Sequence, residues 1–168
     1  MNYLAPSTTI DDSRLRELSH VLAAAAARND SEARFPADNV AQLHQAGLLA
    51  LTVPRRYGGT GAGLLETSHL LGALAKGCAS TALILAMQLL KHAALSRTDL
   101  LPQQMRARIA EEAVERGALI NTLRVEPELG SPTRCGLPAT MVRRTPAGWK
   151  RCRTRRSASV QRIISDFI

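Results

Sequence analysis

The chain changes its hydrophobic period once, at Gly117, and that change governs how it can be built. Before Gly117, apolar residues recur at helical spacing between Gly and Pro punctuation; after it, short runs of strand character alternate with turn residues. Helices followed by strands imply successive units rather than an alternating α/β sheet. The expected fold is therefore mainly α: an N-terminal bundle of about five helices over residues 1–117, then an incomplete antiparallel β segment over 118–150.

Thr8, Thr9, Asp11 and Asp12 offer N-caps for a first helix, whose apolar face runs through Leu15, Leu18, Val21, Leu22 and Ala25 and should fade near Asn29 and Asp30. Pro36 opens a second helix, with Val40, Leu43 and Ala46 on one side and Gly47 as its left-handed terminator. Leu48–Thr52 is an apolar connector, and Tyr57-Gly58-Gly59-Thr60-Gly61 a loop. A third helix should span Leu64 to Lys76, stacking Leu65, His69 or Leu70, and Ala73. The fourth, from Thr81 to Leu95, is apolar nearly all round and so belongs in the centre of the bundle. The fifth runs from Pro102 to Arg116 through Met105, Ile109, Ala113 and Val114. Strands are expected at Ala118–Val125, at Ala139–Arg144, and from Trp149.

The core must be aliphatic, because aromatic residues are only 3% of the chain. A net charge of +8 invites a nucleic-acid reading, but half of it lies in the last 18 residues, where five Arg meet one Asp. The rest is spread along helix faces. Cys78, Cys135 and Cys152 form neither a disulfide framework nor a metal spacing, so a reduced, cytoplasmic setting is expected. The N-terminus lacks the order of a signal peptide, and the apolar run Ala82–Leu90 is too short to span a bilayer and contains Gln88. Neither nucleic acid nor membrane is expected as a partner. His20, His44, His69 and His92 lie on separate helices without ligand pairing, and Glu111, Glu112 and Glu115 suit a solvated helix face.

The segment Ala46–Gly63, AGLLALTVPRRYGGTGAG, is a loop with a rigid Pro54, an anchoring Tyr57 and glycines that allow unusual backbone angles. It has neither the Lys-Ser/Thr pair of a phosphate loop nor the glycine spacing of a dinucleotide fold, so its role is structural. Leu119–Lys150 contains Glu126-Pro127-Glu128-Leu129-Gly130-Ser131, then Ala139-Thr140, then Gly148-Trp149. The two segments, in this order, resemble the FAD-dependent acyl-CoA dehydrogenase family, in which a Val-Pro-x-x-Tyr-Gly-Gly loop joins two helices and a Glu-Pro-x-x-Gly-Ser turn closes the first strand of the β-barrel domain. The resemblance covers about Asp12 to Lys150. It implies FAD as cofactor, acyl-CoA thioesters as substrates and a homo-oligomeric assembly. Carried over by position, it makes Thr122, Leu123, Arg124, Val125, Gly130 and Ser131 the flavin-side candidates, with Ser131 also near the substrate. Val125 replaces the usual Thr and Pro132 the more usual Asp, which points to a divergent branch, including flavin monooxygenases of the same fold.

After Lys150 the family pattern stops. Residues 151–168 form a basic tail rich in Arg and Ser, as GC-rich coding sequence gives when read out of frame, so a frameshift is the expectation; a non-enzymatic helical module with a nucleic-acid- or membrane-binding tail is the rival. In the family the carboxylate that removes the α-proton lies in a C-terminal domain, and no residue here is assigned as catalytic. The sequence therefore reads as a truncated fragment of an oxidoreductase, inactive alone.

Overall fold

Residues 11–99, 101–121, 141–145 and 148–152 are described by the structure, a computed structural model. The chain divides into two compact units, Met1–Asn121 and Thr122–Ile168. The first is helical. Among its described residues are six α-helices: α1 (Asp12–Ala23), α2 (Ala26–Ser31), α3 (Ala37–Gln45), α4 (Leu64–Ala75), α5 (Ala79–Ser96) and α6 (Gln103–Arg116).

One more helix is present than expected because the first breaks at Ala24–Ala25. The break has a visible partner. Asn39, buried on α3, donates from Nδ2 to the carbonyl of Leu22 at 3.2 Å, while the Ala24 N–H turns back to Val21 O. The same Nδ2 donates to Thr81 Oγ1 at 2.9 Å, so one amide ties α1, α3 and α5 together. A run of alanines has no side chains with which to resist such a bend.

Leu15, Leu22, Leu43, Leu70, Leu74, Leu85 and Leu89 fill the core, joined by the connector. Leu48–Ala50 forms a buried 3₁₀ turn behind Gly47, which takes the expected left-handed conformation (φ 73°). Thr52 Oγ1 then caps the carbonyl of Leu89 at 2.7 Å. The glycine loop folds back on this connector: Gly61 N–H bonds Val53 O and Ala62 N–H bonds Leu51 O, each at 2.9 Å. Gly59 lies so close that an added Cβ would sit 2.2 Å from Val53 O and 2.6 Å from Ala50 O. These are the contacts of a structural loop, and they explain why it needs glycine at that point.

Three helix faces differ from expectation. On α4 the buried residues are Thr67, Leu70 and Leu74, so of the expected Leu65, His69 or Leu70, and Ala73 it is Leu70 that faces the core, whereas Leu65 is 87% exposed. On α6 the buried residues are Ala110 and Ala113, with Met105 exposed. Ala110 and the half-buried Val114, the latter on the expected face, pack with the buried Ala50 and Val53. Helix α5 is not enclosed among the described residues: it buries one side only. The apolar sequence leaves the choice of side to packing, since every face offers aliphatic surface.

In the second unit, β1 (Met141–Thr145) pairs antiparallel with β2 (Gly148–Cys152), with Arg144 opposite Trp149 and Val142 opposite Arg151. The hairpin expected at Thr145–Gly148 is present, and the ladder continues two residues past Lys150, with Cys152 opposite Met141. Ala118–Asn121, expected to begin a strand, has no strand pairing; the rest of that segment and the 153–168 tail lie outside the described residues.

Candidate functional site

The described residues with most to offer chemically converge on α5. Its sequence, ASTALILAMQLLKHAALS, lacks acidic residues and has one Lys, so nothing in it prevents burial of either side. Thr81, Ala82, Leu85, Gln88, Leu89 and His92 face the core. Leu83, Met87 and Leu90, spaced four and three apart, form the opposite stripe and are 64%, 42% and 60% exposed. A helix in water that shows such a stripe presents a surface suited to an apolar partner or ligand.

The core side of α5 carries polar groups that would be costly to bury unpaired. Gln88, fully buried, has partners for each. Its Oε1 accepts the backbone N–H of Ile120 at 2.8 Å, its Nε2 donates to Ala118 O at 3.0 Å, and the same Nε2 lies 3.0 Å from His92 Nε2. The chain arrives there because Gly117 ends α6 in a left-handed turn (φ 66°), with Ala118 N–H bonded to Glu112 O. A Cβ at Gly117 would lie 2.6 Å from the His44 ring, and His44 Nε2 itself meets Val114 O at 3.1 Å. His44 and Gly117 thus set the exit angle of the helix, and Gln88 receives the exiting backbone.

Burial lowers the pKa of His92 from its ordinary value of 6.5, which favours the neutral ring. Beside it is a cavity of about 10 Å³, bounded also by Pro54, Tyr57, Arg106 and Ala110, with room for about one water. Arg106 donates to Thr98 O at 2.8 Å and pairs with Asp99 at 3.1 Å, while its buried Nε has no protein partner.

The candidates Thr122, Leu123, Arg124, Val125, Gly130 and Ser131 all lie outside the described residues, beginning one residue beyond Asn121. Among the described residues no group of His, Cys, Asp and Glu is placed to hold a metal, and no helix is long and apolar enough to cross a membrane. Sequence reasoning missed the Gln88–His92 pair. Its signal was present: two polar residues, four apart, inside an otherwise apolar helix.

Comparison with known proteins connects this arrangement to a family. Residues 10–97 match the family described as acyl-CoA dehydrogenase, N-terminal domain, a span that includes α1 to α5 and the glycine loop. A Bacillus subtilis protein named as an acyl-CoA dehydrogenase, YdbM, is 36% identical over 74% of this chain and 32% of its own length. The 3-sulfinopropanoyl-CoA desulfinase of Advenella mimigardefordensis is 36% identical over 48% of this chain and 20% of its own length. Among solved structures, nitrososynthase from Micromonospora carbonacea var. africana superposes with a TM-score of 0.56 at 28% identity, over 69% of this chain and 34% of that one. The chain thus spans about a third or less of the length of these relatives. It belongs to the acyl-CoA dehydrogenase family, with residues 10–97 matching that family's N-terminal domain.

Proposed function

We propose that the chain supplies the helical part of an acyl-thioester site in an FAD-dependent, acyl-CoA dehydrogenase-like oxidoreductase. The observation that carries this reading is the exposed Leu83–Met87–Leu90 stripe on α5. It is an apolar wall on the helix whose other side receives the backbone leading to residue 122. In this reading 1–117 is the helical domain, 118–150 the first strands of the β domain and 151–168 a basic tail.

The family is generally FAD-dependent. The residues that would face a flavin lie outside the described ones, so no step is routed through the cofactor here. When bound, FAD supplies the hydride acceptor for α,β-dehydrogenation. The described residues have two tasks: α5 offers apolar contact to an acyl chain on one side, and Gln88 holds the chain on the other. The relatives' names include a desulfinase and a nitrososynthase, so the fold alone does not fix the reaction. A flavin monooxygenase of the same fold is the second reading.

The test is a chain-length series. Binding of acetyl- to octanoyl-CoA by the full chain should tighten by about twofold per added methylene, for half-burial of groups worth about 0.8 kcal/mol each when fully buried. Met87→Asp should remove the increment. Equal binding of free CoA and every thioester would refute the acyl reading.

A further inference from the structure

We propose that Gln88 is a positioning residue: its side-chain amide pairs with the backbone at Ala118 and Ile120 as a neighbouring strand would, fixing the register in which the chain leaves the helical unit. Its consequence for cofactor binding rests on the flavin-side reading of residues 122–131; its geometry does not.

The direction of each bond is forced. A backbone N–H can only donate and a carbonyl can only accept, so Oε1 must face Ile120 and Nε2 must face Ala118, as the structure places them. Two backbone bonds from one side chain, one donated to Ala118 O and one accepted from Ile120 N–H, bracket Leu119 as a residue of a parallel neighbouring strand would. They specify which residue sits opposite α5. A slip of one residue would leave the buried Gln88 amide without its backbone partners.

His92 locks this orientation. The second hydrogen on Gln88 Nε2 points to His92 Nε2, 3.0 Å away, which must therefore be the bare, accepting nitrogen. The neutral ring carries its proton on Nδ1. A protonated ring would present a donor to a donor. Satisfying it would require the Gln88 amide to flip, setting Nε2 against the Ile120 N–H and the oxygen against the Ala118 carbonyl, so that both backbone bonds are lost. The charged groups bordering the cavity beside His92 are Arg56 and Arg106, both cationic, with Asp99 paired to Arg106; Tyr57 and Ser96 are its uncharged polar neighbours. Burial disfavours a positive charge on the ring. Gln88 and His92, four residues apart on one helix, therefore act as a register clamp and its brace.

The experiment follows the Ile120 amide in the full chain by hydrogen exchange, with FAD affinity measured in parallel by flavin fluorescence. Gln88→Met keeps the volume and removes the bonds. It should speed Ile120 exchange relative to neighbouring amides by about tenfold, about 1.4 kcal/mol, and weaken FAD binding by a similar factor. Leu89→Ala is the control: it loosens the core without that local change at Ile120. Unchanged Ile120 exchange in Gln88→Met overturns the clamp; a freed Ile120 amide with unchanged FAD affinity overturns its positioning role. A wild-type chain that takes up no FAD refutes the cofactor reading, while Ile120 exchange still judges the clamp. If Gln88→Met does not fold, wild type decides: Ile120 protection must fall as the His92 ring protonates, and protection independent of that titration overturns the proposal.

Discussion

Asn39 is the side chain on which the helical unit's connectivity most depends, and its removal has a cost that can be worked out. Its Nδ2 group serves two buried acceptors, Leu22 O and Thr81 Oγ1, at the break between α1 and α2. Asn39→Ala removes two hydrogen bonds with a net value of about 1 kcal/mol each and leaves the Leu22 carbonyl to be buried with less than its due, about 1 kcal/mol more. The expected loss is about 3 kcal/mol. For a helical unit of this size that corresponds to a Tm about 12 °C lower, at about 4 °C per kcal/mol. Urea unfolding followed by helical circular dichroism is the assay; the midpoint should fall while the slope stays constant. The Thr81 hydroxyl loses a donor but keeps its contact with Cys78 Sγ at 3.1 Å, whereas the Leu22 carbonyl loses the side-chain donor that Asn39 supplies. A loss below about 0.5 kcal/mol would refute the reasoning and show that the break has another cause.

Three further outcomes follow from the same structure. Gly59→Ala drives a methyl into Val53 O and Ala50 O and should cost about 3 kcal/mol by thermal unfolding; a change within about 0.5 kcal/mol would mean the loop yields freely. Leu83→Asp lies on the uncovered stripe and should leave the stability of the chain within about 0.5 kcal/mol by urea titration; a loss of several kcal/mol would show the stripe to be covered within this chain. His92 has a folded pKa below its ordinary value, so the unfolded state takes up the proton first. The stability it contributes is fully present above the ordinary value of 6.5 and is lost as pH falls through that value toward the depressed folded one. His92→Gln should flatten the slope in pH-dependent denaturation, and an unchanged slope would remove His92 from the account.

The punctuation of the fold was legible because it is local. Pro36 and Pro102 stand immediately before α3 and α6, and Gly47 and Gly117 end helices with the positive φ their positions imply. The glycine loop is punctuation of the same kind, since the missing Cβ of Gly59 permits close approach of backbone to backbone. Facing was less legible. A helix such as α5, with leucines at 83, 85, 89 and 90, satisfies several apolar stripes at once, and only its neighbours select Leu85 and Leu89 for the interior. The division of the first helix depends on Asn39, whose two partners are 17 residues before it and 42 after it. The same distance hid the main site. In sequence Gln88 is one polar residue within an apolar run, and its backbone partners Ala118 and Ile120 lie 30 and 32 residues on.

The two-sided character of α5 is the centre of this account, and side-chain NMR of the full chain titrated with octanoyl-CoA tests it directly. The methyl signals of Leu83, Met87 and Leu90 should shift together with one saturable affinity, while those of the buried Leu85 and Leu89 stay largely in place. Shifts confined to other helices, or equal shifts on both sides of α5, would contradict the assignment of the stripe to the acyl group.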